Sequence, residues 1–219
     1  MFDLDGTLAN TLDSIAWFGN TALERCGLKP LPVNDYRLMV GNGADLLIER
    51  MIRKSAGEMN LFAKVRSAYD ALYESNPLYL VAKYDGITSL LLKLKDKGIK
   101  TAVLSNKPDD MTRLVVKGLF GDGLFDAVRG QLTGYPKKPD PAVPLMLLDA
   151  MGATPGQCLY IGDSGVDMET GRNAGMDTAG AAWGFRGEEE LRAGGAKYIV
   201  HTAEDLEKIL FLKDGFINE

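Results

Sequence analysis

From Ile87 onward the chain alternates between short apolar runs and segments whose apolar residues recur every three or four positions. Ile87, Leu90, Leu91 and Leu94 fall at i, i+3, i+4 and i+7, which predicts a helix, and Gly98 stands where that helix would stop. An apolar strand is predicted over Ile99–Leu104, ending at Ser105-Asn106-Lys107-Pro108 because a proline cannot continue a central ladder. Val143, Met146, Leu147 and Ala150 predict the next helix, closed by Gly152, and Cys158–Ile161 is a compact strand running into Gly162-Asp163-Ser164. Further strands are expected over Thr178–Ala182 and Tyr198–Val200, and a last helix over Ala203–Leu210. This rhythm is that of βαβ units around a parallel sheet, so the expected fold class is α/β.

The stretch from Leu12 to Leu80 has helical periodicity and no convincing strand. Leu12, Ile15, Ala16 and Leu23 make one apolar face, Leu46, Leu47, Ile48, Met51 and Ile52 a second, and Phe62, Val65 and Tyr69 a third. An all-helical insert over residues 13–80 is therefore expected, joined to a core of residues 1–12 and 81–219 by hinges near Asn10 to Asp13 and Leu80 to Asp85.

Composition removes several function classes. At 219 residues and 46% hydrophobic content the chain can bury a full core. A net charge of −5 without a basic run speaks against a nucleic-acid groove. No apolar stretch approaches the roughly 18 residues of a membrane helix, and no basic segment followed by an apolar one opens the chain, so a cytoplasmic setting is the expectation. Cys26 and Cys158 lack metal-ligand spacing and read as ordinary thiols. His201 is the only histidine, so any metal must be held by oxygen.

The chemistry collects where the apolar runs end. Phe2-Asp3-Leu4-Asp5-Gly6-Thr7 sets two carboxylates two residues apart; if Phe2 to Asp5 finish a strand, Asp3 and Asp5 share one side and Leu4 takes the other. Gly6-Thr7 supplies a turn whose N–H groups can meet an anion. Paired carboxylates beside an anion site make sense with a divalent cation between them, as phosphoryl transfer requires. The second run ends in Ser105-Asn106, the third in Gly162-Asp163-Ser164-Gly165-Val166-Asp167, and Lys137-Lys138-Pro139-Asp140-Pro141 lies between. In an open α/β sheet, ligands gather outside such strand ends.

Asp3-Leu4-Asp5-Gly6-Thr7, Ser105, Lys138 and Gly162-Asp163-Ser164 with Asp167 resemble, in order, the four motifs of the haloacid dehalogenase-like hydrolase superfamily. The helical insert resembles the cap of that superfamily. Val40-Gly41-Asn42-Gly43-Ala44-Asp45 with Arg50, and Trp183-Gly184-Phe185 with Glu189-Glu190-Leu191, are most similar to phosphoglycolate phosphatases and their close relatives. The resemblance implies a Rossmann-like parallel sheet core with an inserted all-helical cap, acting as a phosphatase on a small phosphorylated metabolite, with 2-phosphoglycolate favoured. It implies Asp3 as nucleophile and Asp5 as general acid and base. It implies Mg²⁺ held by Asp3, the backbone carbonyl of Asp5 and Asp163, with Asp167 behind or within that shell. Gly6, Thr7, Ser105, Asn106 and Lys138 would grip the phosphoryl oxygens. In the cap, Gly41, Asn42 and Gly43 would meet the substrate, with Arg37 or Arg50 available to a second anionic group.

Several alternatives stay open on sequence. A β-phosphoglucomutase-like phosphomutase would use the same aspartate pair, and pyrophosphate or a nucleotide could replace the monoester. A binding protein without activity is disfavoured by the presence of Asp3, Asp5, Ser105, Lys138 and Asp163 together. Monomer and homodimer are equally compatible. Only Met1 and Phe2 precede Asp3, where the resemblance implies about five strand residues; either upstream residues are missing or the sheet is altered at its centre. A charged amine at that place would be costly unless paired.

Overall fold

The computed structural model describes residues 1–212. In chain order the elements are β1 (Ala9–Asn10), α1 (Leu12–Arg25), α2 (Tyr36–Met39), α3 (Ala44–Lys54), α4 (Phe62–Ser75), β2 (Ala82–Lys83), α5 (Ile87–Asp96), β3 (Ala102–Pro108), α6 (Asp109–Phe120), β4 (Ala127–Gln131) and α7 (Ala142–Ala150). They continue with β5 (Leu159–Gly162), α8 (Gly165–Asn173), β6 (Asp177–Ala181), α9 (Glu188–Ala193), β7 (Tyr198–Val200) and α10 (Ala203–Leu212).

The α/β class expected from the alternation is present. β3 pairs with β4, β5 with β6 and β6 with β7, all parallel. Met1–Asp3 joins the two halves: Phe2 bridges Val103 on one side and Ile161 on the other. Phe2 N–H donates to Ala102 O and Asp3 N–H to Ile161 O, each at 2.8 Å. The resulting order is β4–β3–(Met1–Asp3)–β5–β6–β7.

Alternation along these strands feeds two apolar clusters. Phe2, Val103, Leu159 and Ile161 join α5, α6 and α10 on one face through Leu91, Val115 and Leu206, among others. Met1, Ala102, Leu104 and Tyr160 meet Val143, Leu147 and Leu148 of α7 on the other. Covering both faces is what a parallel sheet requires, and each large apolar side chain so buried contributes about 1.5–3 kcal/mol.

Two strand expectations need correction. The first strand does not run to Asp5: the chain leaves the ladder after Asp3, where Leu4 O accepts from the N–H groups of Thr7, Leu8 and Ala9. Met1 N donates to Leu159 O at 2.8 Å, so the ladder to β5 extends to the first residue of the segment. β3 begins at Ala102 rather than Ile99 and runs through Pro108, which bridges Gln131 after a register shift past Leu104. The shift is where the ladder accommodates a residue without an N–H. β4 and α6 were not foreseen.

Helices α1 to α4 pack around their own apolar cluster, which includes Ile15, Phe18, Tyr36, Ile48, Met51, Ile52, Val65 and Tyr69. Leu46, expected on that apolar face, is instead 41% exposed. The chain enters and leaves this helical layer through β1 and β2, an antiparallel pair with Ala9 opposite Lys83 and Asn10 opposite Ala82. No helix among the described residues is long and apolar enough to cross a membrane.

Candidate active site

The strand ends bring four distant segments together. Asp3 is buried at the end of the Met1–Asp3 segment, and its Oδ1 lies 2.8 Å from Lys138 Nζ. Lys138 also donates to Asp167 Oδ1 at 2.7 Å and to Leu104 O at 3.3 Å. Its loop is fixed by Asn106, whose Oδ1 accepts from Lys138 N–H at 2.9 Å while Nδ2 donates to Lys138 O at 3.2 Å. Asp167 sits in the first turn of α8, where its Oδ2 accepts from the N–H and Oγ of Ser164, a capping box that orients the side chain. Asp163 Oδ2 accepts from Phe185 N–H at 2.7 Å, and Oδ1 from Thr7 Oγ1 at 3.4 Å.

Asp3, Asp163 and Asp167 offer carboxylate oxygens all within 4.8 Å of one another, and all three residues are buried. Burial, with the charge of Asp167 next, pushes the Asp3 carboxyl from 3.8 up to about 7, against the pull of Lys138. Burial, then Asp167 and Asp3, hold Asp163 well above the carboxylate range. Burial opposes the charge on Lys138, yet Asp167 and Asp3 outweigh it and keep the ammonium well above its ordinary value. Three carboxylates against one ammonium form an oxygen donor set suited to a hard divalent cation.

Glycines make this convergence possible. Gly6 has φ +89°, and a Cβ there would lie 2.2 Å from Asp163 Oδ2.

Asp3 and Asp5 both open onto a cavity of about 220 Å³ between the sheet and the helical layer. Ser105, Asn106 and Lys138 line it from the core, Gly41 and Gly43 from the helical layer. Gly6, Thr7, Asp163 and Asp167 are not on the cavity wall. Asn42, Arg37 and Arg50 are not on the wall either: Arg37 donates to Gly184 O and Phe185 O, and Arg50 to Met39 O.

Two cations on the wall were not singled out from the sequence. Lys107 Nζ lies 3.0 Å from both oxygens of Asp5 and 4.9 Å from the centre of the Tyr73 ring. Arg66 holds Asp70 and Asp45 near the mouth. A signal for Lys107 was available, since a strand carried through to Pro108 sets Ser105 and Lys107, two residues apart, on one side. Arg66 offered none beyond helical spacing.

Residues 1–181 match the family model for haloacid dehalogenase-like hydrolases, and the chain belongs to that family. It is 33% identical over 187 residues to the phosphoglycolate phosphatase of Aquifex aeolicus, covering 84% of each chain. It is also 33% identical over 199 residues to that of Psychrobacter arcticus, covering 88% of this chain and 86% of the other. A solved structure from Lactobacillus delbrueckii subsp. bulgaricus superposes with a TM-score of 0.90 at 30% identity, covering 100% of this chain and 97% of its own.

Proposed function

We propose that the chain is a Mg²⁺-dependent phosphatase of small phosphorylated metabolites, with 2-phosphoglycolate as the favoured substrate. The observation that carries this reading is the buried Asp3 carboxylate at the floor of the cavity, 2.8 Å from Lys138 Nζ and clustered with Asp163 and Asp167. Its relatives from Aquifex aeolicus and Psychrobacter arcticus support the choice of a phosphate monoester.

Asp3, Asp163 and Asp167, with the backbone carbonyl of Asp5, would hold Mg²⁺, which when bound supplies positive charge to the phosphoryl oxygens. Asp3 attacks phosphorus in line; the new O–P bond forms as the ester P–O bond breaks, leaving an aspartyl phosphate. Asp5, entering the substrate complex protonated, gives that proton to the departing alkoxide and, as the carboxylate so formed, takes one from the water that hydrolyses the acyl phosphate. Lys107 fixes the orientation of the Asp5 carboxylate. Ser105, the N–H group of Asn106, and Lys138 hold the remaining phosphoryl oxygens as charge develops; the Gly6 N–H, expected among these donors, is instead donated to Ala9 O at 2.9 Å. Residues 13–80 act as a cap over the core of residues 1–12 and 81–219, excluding water and testing the leaving group through the Gly41–Gly43 wall.

The test is phosphate release from 2-phosphoglycolate, pyrophosphate, glucose 1-phosphate and nucleoside monophosphates, with and without Mg²⁺, for wild type and Asp3→Asn. Mg²⁺-dependent release that disappears in Asp3→Asn, and is fastest for 2-phosphoglycolate, is expected. Transfer between sugar hydroxyls without phosphate release would move the reading to a phosphomutase.

A further inference from the structure

The turn after β6 carries Trp183, Gly184, Phe185 and Arg186 out of the core and into the helical layer. Phe185 is buried among the apolar residues of that layer. Arg186 donates to Val40 O at 2.8 Å and to Leu38 O at 3.2 Å. From the opposite side Arg37 donates through Nε to Phe185 O at 2.9 Å and through Nη2 to Gly184 O at 3.0 Å. Two arginines thus clasp the layers reciprocally, each on backbone carbonyls of the opposite layer.

The Gly184 carbonyl and the Phe185 N–H belong to one peptide unit, which is planar and points its oxygen and hydrogen in opposite directions. The oxygen receives the Arg37 guanidinium; the hydrogen is donated to Asp163 Oδ2 at 2.7 Å. A cation at the oxygen polarises the peptide and strengthens the N–H as a donor. No side chain intervenes: a Cβ at Gly184 would lie 2.2 Å from Asp163 Cβ and 2.4 Å from Gly6 O. The other oxygen of Asp163 accepts from Thr7 Oγ1, and Trp183 Nε1 donates to Thr7 O at 3.1 Å, so the same turn braces both sides of this carboxylate.

We propose that Arg37 is a positioning residue for cation binding: from the helical layer it sets the Gly184–Phe185 peptide, which orients the Asp163 carboxylate. This rests on the reading of Asp3, Asp163 and Asp167 as the metal site. It also gives Arg37 a role other than the substrate contact expected from the sequence.

The experiment is a Mg²⁺ titration followed by melting midpoint and by calorimetry, without substrate, for wild type, Arg37→Ala, Arg37→Lys and Arg186→Ala. Residues that orient metal ligands typically change affinity by about 10–100-fold, and Arg37→Ala is expected to raise the half-saturating Mg²⁺ concentration by about tenfold. Arg37→Lys keeps the charge but not the two-pronged donor, so it gives a smaller shift and serves as the measurement if Arg37→Ala does not fold. Arg186→Ala joins the same layers without touching the peptide; it is expected to lower the Mg²⁺-free midpoint and leave half-saturation in place. An unchanged Mg²⁺ affinity in the Arg37 variants, or an equal loss in Arg186→Ala, would overturn the relay. A wild type whose midpoint ignores Mg²⁺ would instead overturn the metal site itself.

Discussion

Lys107 and Asp5 face each other with 8% and 10% of their side chains exposed, and the lysine's carbon stem ends over Tyr73. Burial works against the ammonium, but Asp5 outweighs it and holds the lysine charged. Such a pair contributes little by its presence and a great deal when halved, because removing one partner leaves a desolvated charge. Lys107→Met is therefore expected to cost about 3–5 kcal/mol of unfolding free energy, measured as a lowered urea midpoint. Adding Asp5→Asn removes the bare charge, and the double variant should recover most of that loss. If Lys107→Met costs no more than an ordinary surface substitution, Asp5 is reaching water and the pair is not what fixes its orientation.

At the scale of elements, the turns between strand and helix are where backbone meets side chain most closely. Gly184 illustrates the constraint: its surroundings, not its φ, forbid a side chain. Gly184→Ala should separate Asp163 from the Phe185 N–H, destabilise the fold by about 1–3 kcal/mol and remove most of the Mg²⁺-dependent rise in melting midpoint. Gly156→Ala, with no atom within 4 Å of the added carbon, is the matched control and should leave both unchanged. The turns also explain what could be read in advance. Tyr198–Val200 and the start of α10 at Ala203 were legible because a compact apolar run and a polar break define them. Ser105, Lys138 and Asp163 were legible as candidates because they follow or separate apolar runs. β4, with Arg129, Gly130 and Gln131, has too weak a strand pattern to announce itself, and it forms because β3 offers an edge. Arg37 was legible as a cation, but its targets lie 147 and 148 residues away in a turn whose path only tertiary packing defines.

For the whole molecule, the acidic cluster links folding to pH and to metal. Asp3 goes from 3.8 in an ordinary environment to about 7 here, and Asp163 is also raised, by burial and then by its acidic neighbours. Between those values the folded protein binds more protons than the unfolded chain, so metal-free stability should fall as pH rises through about 4 to 7. Asp109 acts outside that window: hydrogen bonds from Arg113 and the Gly130 N–H outweigh its burial and lower its pKa, so its contribution is lost only in stronger acid. A divalent cation competes with protons for the carboxylate oxygens, so Mg²⁺ should stabilise the fold more at about pH 8 than at about pH 5. Melting midpoints in EDTA and in saturating Mg²⁺ across this range test both statements. The metal-free curve should descend toward neutral pH while the Mg²⁺ curve stays flatter, the two diverging as the carboxyls ionise. Parallel curves would mean that the charge of the cluster is offset from within the protein, and that Lys138 alone suffices to keep three carboxylates together.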